Sequence, residues 1–397
     1  MFQRGYPIHH ESSLLPLPVR MDASPHYSGR GVTIAFIDSG FYPHPDLGTR
    51  VVAHVDATNA PVRENRLRFI RPMWYCWHGQ MTSVIACGDG RTSGGLYRGI
   101  ASDASLVLIK VSTEKRQIKE PDILRGLKWL IANHRRFDVR IVNISVGGDF
   151  PSSDPDHPLF RAVRTLVDEG VMVVVAGGNS PLYPLVPPNS APEAIAIGGY
   201  DDDNSRDVNR WRLFTNSFGT AFDGSPKPDV LAPAMWIAAP ILPRTSVERA
   251  ARWLAPMLDL KADDHEGFEA LLSRVGSDLP LTADELHDPT NDDVRLKIID
   301  LLREHKIVDA HHQYVSGTSV AAAVASSVVA QIIEANPSLT PSSIKDILIR
   351  TAKRFPHAPI EQQGAGVIDA ANAVAAAEAL HPIRNRTSDE PRVSPMV

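Results

Sequence analysis

Five segments of strand length, Val32–Ile37, Leu106–Val111, Ile141–Ile144, Val171–Ala176 and Ala194–Ile197, are apolar runs rich in Val and Ile that do not alternate with polar residues. A strand of that kind must be covered on both faces, which is the condition of a parallel sheet wrapped by helices. The stretches between them have helical spacing. His78–Cys87 places Met81, Val84 and Ile85 at i, i+3 and i+4 and stops at Gly88. Pro121–Arg135 carries Leu124, Leu127, Leu130 and Ile131, and Leu159–Glu169 ends at Gly170, a good helix terminator. The alternation predicts an α/β fold, a doubly wound parallel sheet with helices on both faces, whose active site lies at the carboxyl ends of the strands.

Ser319–Ala335 is small or apolar on every face, which predicts a central buried helix stopped at Asn336-Pro337. Another helix begins at Thr340-Pro341. Residues 243–312 are more charged and hold SVERAARWLAPML, EGFEALLSRV and VRLKIIDLLREHK, which reads as a helical insertion into the main domain of residues 29–381. The insertion returns to the chain only a few residues before Tyr314-Val315-Ser316, and is expected to cover the rim of the site. Residues 1–28 form an N-terminal extension and 382–397 a C-terminal tail, both expected to be weakly ordered.

A formal net charge of −5 and a pI near 6.3 give no electrostatic case for nucleic acid or an anionic membrane as partner. The two cysteines, Cys76 and Cys87, are too few for a disulfide framework and read as buried free thiols. The start, MFQRGYPIHHESSLLPLPVR, lacks a signal-peptide apolar core, so a cytoplasmic location is expected.

Four residues carry chemistry. Asp38 stands where an apolar strand ends, and a buried carboxylate there orients an imidazole. His78 opens a helix in WHGQMTSVIAC, with a glycine after it that lets another segment approach, as suits a general base. Ser319, in SGTSVAAAVA, sits at a helix start whose N–H groups stabilise negative charge on a reacting carbonyl. Asn179, in VVVAGGNS, follows a strand and offers an amide N–H to an oxyanion. Taken singly, each also reads as a cap or turn residue. Their order and shared setting single them out.

That order, with VTIAFIDSGFYPHPDL, HGQMTSVIACGDG, RGIASDASLVLIKV, NISVGG, VVVAGGNS, KPDVLAP, SGTSVAAAVAS and GAGVIDAANAV, resembles the subtilase family of serine proteases across residues 31–375, apart from the insertion. The resemblance implies a serine endopeptidase acting on polypeptides, with Asp38, His78 and Ser319 as catalytic triad and Asn179 as oxyanion donor. It also implies that Gly147, Gly148, Ala176, Gly177 and Gly178 wall the primary specificity pocket, their small size leaving it open to a sizeable side chain. No cofactor is implied for the reaction. Asp46 in HPDL matches a calcium-ligand position of the family, but GDGRTSGGLYRG does not carry the family's calcium loop, and no family-type propeptide precedes residue 31. Gln80 stands where the family has Thr, and Ala323 where it has Pro. The His pairs at 9–10 and 311–312 lack partners at ligand spacing and read as exposed loop residues rather than metal ligands. Two other readings are a peptide ligase or macrocyclase, in which an amine captures the acyl-enzyme, and a catalytically silent binding module.

Overall fold

The computed structural model describes residues 14–381 apart from 65–70, 116, 259, 261–263, 276–281, 283, 285–291 and 356–357. The C-terminal tail and the His pair at 9–10 lie outside the described residues. The main strands are β1 (Thr33–Asp38), β2 (Val51–Asp56), β3 (Ser105–Lys110), β4 (Val139–Ile144), β5 (Met172–Ala176), β6 (Ile195–Asp201) and β7 (Val230–Pro233). They pair in parallel in the order β7-β6-β5-β4-β1-β3-β2. Two-residue strands at Arg63–Glu64 and Arg212–Leu213 add antiparallel to β2 and β6. Chain order switches beside β1, so a crevice opens beyond the carboxyl ends of β1 and β4, where an open α/β sheet places its site.

The helices are α1 (Leu17–Arg20), α2 (Cys76–Cys87), α3 (Glu120–Asn133), α4 (Pro158–Asp168), α5 (Ser246–Leu258), α6 (His265–Val275), α7 (Asp292–His305), α8 (Thr318–Ala335), α9 (Pro341–Thr351), α10 (Ile360–Gln363) and α11 (Ala370–Ala379). The two-residue period of the strands divides the core. Ile34, Phe36, Leu106, Leu108 and Val174 face α2, α8, α9 and α11, while Ala35, Ile37, Val107, Ile109 and Val175 face α3 and α4. Each of these Val, Leu, Ile and Phe side chains, fully buried, contributes about 1.5–3 kcal/mol by its removal from water. Every residue of α8 except Glu334 is buried. That enclosure explains why α8 is long and apolar enough to pass for a membrane span while serving as the core helix here.

The expected strands and helices appear with ends shifted by a residue or two, except that the strand expected at Ala194–Ile197 runs on to Asp201. Two of the seven main strands have no counterpart among the expected ones: β2, whose VVAHVD carries His54, and β7, a short run in KPDVLAP. The first 28 residues were expected to be weakly ordered, yet residues 14–28 are packed down. Leu14, Leu17 and Met21 are buried. The Arg20 guanidinium bonds both oxygens of Asp202 at 2.7 and 2.6 Å and the carbonyls of Trp236 and Met235 at 2.6 and 2.7 Å. A buried guanidinium so fully satisfied anchors its segment.

The insertion leaves the main body on an antiparallel ribbon of β8 (Ile237–Pro240) and β9 (His312–Val315), paired from Ile237↔Val315 to Pro240↔His312. Its helices α5, α6 and α7 bury Ala251, Leu254, Leu272, Val294, Ile298 and Leu302 in a separate apolar cluster. The chain then folds back: Ile307 bridges Gln313 and the Tyr314 N–H donates to the Lys306 carbonyl at 2.8 Å, which sets the C-terminal end of α7 beside Tyr314 of the ribbon. Val315 is its near end and His312 its far end, about 10 Å along. His312 is buried rather than an exposed loop residue: its ring lies 5.1 Å from that of Tyr97 and its Nδ1 2.8 Å from Asp309 Oδ1.

Candidate active site

Asp38 ends β1, and its carboxylate is completely buried. Three donors hold it. The Ser39 N–H donates to Oδ1 at 2.6 Å, the Thr82 hydroxyl to Oδ2 at 2.9 Å, and His78 Nδ1 lies 2.7 Å from Oδ1. His78 and Thr82 are one helical turn apart on α2, so a single face of that helix delivers both to the same carboxylate. Gly79 permits the docking. A Cβ there would fall 2.2 Å from the Gly40 carbonyl oxygen, so no other residue lets α2 approach the end of β1 so closely.

Nδ1 of His78 is engaged by a carboxylate, so the neutral ring carries its proton there and leaves Nε2 as a base. Burial alone would lower the imidazole pKa, but the charge of Asp38 and its hydrogen bond outweigh burial and hold it above the ordinary value. The side chain keeps 32% of its surface exposed, enough for a reactant to reach Nε2.

Ser319 is the second residue of α8, after the cap Gly317 and Thr318. Its N–H is among the first-turn donors that no helix carbonyl reaches. Its hydroxyl makes no hydrogen bond to a described residue, His78 included. Thr318 organises the neighbourhood. Its N–H and hydroxyl both donate to Asn179 Oδ1, at 2.8 and 2.9 Å, and its Oγ1 accepts from the Gly178 N–H at 3.1 Å. With its oxygen anchored, Asn179 has its amide orientation fixed and its Nδ2 unused by any described residue. An Nδ2 and a helix-start N–H side by side can bind a developing oxyanion. Thr82 and Thr318 were both missed in the sequence. Thr82 was discoverable from its spacing to His78, whereas Thr318 looked like an ordinary helix-start residue.

The glycines do not leave open space. A Cβ on Gly147 would meet Val186 Cγ2 at 2.7 Å, and one on Gly148 would meet Glu120 Oε2 at 2.5 Å and the Pro187 oxygen at 3.0 Å. On the other strand end, Ala176 is buried, the Gly177 N–H bonds the Ile197 carbonyl at 2.9 Å, and a Gly178 Cβ would meet Ser217 Oγ at 2.6 Å. Small residues are needed here for close packing, so their size alone does not imply a roomy pocket. Deeper in, Ser326 of α8 donates to Asn143 Oδ1 and Asn143 Nδ2 to Ser145 Oγ, tying α8 to the strand that leads to Gly147.

Asp46 is occupied within the protein: Oδ1 accepts from the Thr92 N–H at 3.0 Å and Oδ2 from the Thr92 hydroxyl at 3.1 Å. The loop that replaces the family's calcium loop thus satisfies this carboxylate itself, and the donor set present does not fit that ion. Among the described residues no group of three or more His, Cys, Asp or Glu gathers as metal ligands. Cys76 and Cys87 are buried free thiols at opposite ends of α2, about 16 Å apart along its axis and beyond bridging distance. Gln80 is fully buried with neither amide atom bonded, the cost of placing a longer polar side chain where the family has Thr. Ala323 is simply enclosed in α8.

The Subtilase family matches residues 29–366 of the chain. The chain is 28% identical over 361 residues to the serine protease AprX of Bacillus subtilis, covering 87% of this chain and 67% of that one. It is 28% identical over 179 residues to subtilisin Savinase of Lederbergia lenta, covering 45% of this chain and 59% of that one. Among solved structures, a protease of Pseudoalteromonas arctica superposes with a TM-score of 0.57 at 20% identity, covering 93% of this chain and 96% of the other.

Proposed function

The chain belongs to the subtilase family, and from that membership we propose that it hydrolyses peptide bonds within polypeptides through an acyl-enzyme on Ser319. The observation that carries the assignment is the 2.7 Å hydrogen bond from His78 Nδ1 to the fully buried Asp38. It leaves Nε2 as the free base on the side of α2 that faces the crevice. In this reading Nε2 takes the Ser319 hydroxyl proton as the oxygen attacks the scissile carbonyl, and returns it to the leaving amine. Asp38 stabilises the imidazolium that forms between the two transfers. The Ser319 N–H and Asn179 Nδ2 receive the oxyanion, and Gly147, Gly148 and Ala176–Gly178 border the bound chain. Water then releases the acyl group. No observation favours its capture by an amine, and a silent binding module has no use for an oriented base.

The test is reaction with a fluorophosphonate, followed by cleavage of an unfolded polypeptide. The wild-type chain is expected to be labelled on Ser319 and to yield hydrolysed fragments. Ser319→Ala loses both. Asn179→Ala lowers kcat far more than it raises KM, by about 10²–10³, a magnitude that belongs to subtilisin itself and is carried over. Labelling that persists in Ser319→Ala would overturn the assignment, and cyclic or ligated products would favour the transferase reading.

A further inference from the structure

The wall beside Gly148 is charged. Glu120 is the first residue of α3, and its Oε2 is the atom nearest the position a Gly148 Cβ would take, at 2.5 Å. The carboxylate therefore lies against bare glycine backbone at the edge of the crevice. Its other oxygen is held: His157 Nε2 is 3.3 Å from Oε1. His157 Nδ1 accepts the Leu159 N–H at the start of α4, which turns Nε2 toward Glu120. Oε2 takes no hydrogen bond from any described residue, and the side chain is 25% exposed. Oε2 is thus a carboxylate oxygen with no protein partner that is left to solvent, and the side-chain donor that best satisfies it is an ammonium or guanidinium.

An acidic residue in the first turn of α3 also suits the helix dipole. That explanation fits Asp122, which bonds Arg125 of its own helix at 2.6 Å. It does not account for Glu120, which turns away from its helix onto Gly148 and is steadied by a residue of α4. The two glycines thus face different chemistry, the Val186 methyl at Gly147 and a carboxylate at Gly148.

We propose that Glu120 is a specificity determinant that favours substrates placing a lysine or arginine side chain beside Gly148. The proposal rests on the endopeptidase reading above. It is tested with peptide sets in which each position on the acyl side of the scissile bond is varied among Lys, Leu and Glu. The wild-type enzyme prefers Lys over Leu at one position, on the order of tenfold in kcat/KM, and disfavours Glu there. Glu120→Gln reduces that Lys-to-Leu ratio to near one, as read on enzyme titrated with fluorophosphonate so that only intact sites are counted. Independently of any variant, the wild-type preference shrinks as salt is raised, because a partly exposed ion pair is screened. A Lys preference that is absent, that survives Glu120→Gln, or that ignores salt overturns the proposal. These failures differ from failure of the underlying reading, in which no peptide is cleaved and Ser319 is not labelled.

Discussion

Asp38 governs the proton behaviour of the site, because the environment of His78 pulls in two directions. Burial lowers the imidazole pKa, and the Asp38 charge and hydrogen bond raise it by more. The base is active when neutral. The rate should therefore rise with pH through a midpoint above 6.5, the ordinary value for histidine. In Asp38→Asn the raising contributions vanish and burial remains, so the His78 midpoint should move down, below the wild-type value, while kcat collapses. Following the His78 ring by NMR across pH in both proteins checks the direction. A midpoint that does not fall in Asp38→Asn would mean another group sets the titration.

At the scale of elements, the segments that position the site are tied into the sheet, whereas the insertion is tied mainly to itself. α2 brings His78 and Thr82 to Asp38, and α8 brings Ser319 and Thr318 to Asn179. In contrast α5, α6 and α7 close on their own cluster, joined to the main body by the β8–β9 ribbon and by Lys306 and Ile307, which return beside Tyr314 and Gln313. The far end of the ribbon rests on Tyr97 and Thr92, past the C-terminus of α2, and His78 stands near that helix's N-terminus, about 15 Å away along its axis. Replacing residues 246–305 by a short Gly/Ser linker should therefore leave a folded enzyme. Turnover of a peptide ester and of a bulky folded protein should both stay within about twofold of wild type, since helices that bury their apolar faces against one another take no transition-state interaction with them. Selective acceleration on the bulky substrate would restore the expectation of a cover.

For the molecule as a whole, two buried histidines set the acid limit. His44 and His54 are both lowered from 6.5 to about 4, chiefly by burial. Above pH 6.5 both the folded and unfolded chains hold them neutral, so they add no pH dependence. As pH falls below 6.5 the unfolded chain takes up protons that the folded chain refuses until about 4, and stability is lost across that window. Each site accounts for about 3 kcal/mol when the shift is complete. His54 has no hydrogen-bond partner on either ring nitrogen among the described residues and meets Phe41 edge-on at 6.2 Å. His54→Phe should therefore raise the unfolding temperature at neutral pH and flatten its fall between pH 6.5 and 4, as thermal melts at several pH values would register. A variant less stable than wild type at both ends of the range would contradict this account.

What the residues alone decided is the part governed by local periodicity and by motif order. Apolar runs without alternation require two-sided burial, so the parallel sheet and the buried α8 were legible in the sequence, and motif order singled out Asp38, His78, Asn179 and Ser319. The N-terminal segment was not, because Arg20 reads as a surface charge until Asp202 and two distant carbonyls meet it across 182 or more residues of chain. Nor was the role of the glycines at 147 and 148, since small size is compatible with an open pocket or a filled one. Only the packing of Val186 and Glu120 against them shows that close packing is what requires glycine there. Thr318 and Glu120 were decided in the same way, by contacts between segments far apart in sequence. A residue's own chemistry limits what it can bond, but its partner is chosen by the closure of the whole chain.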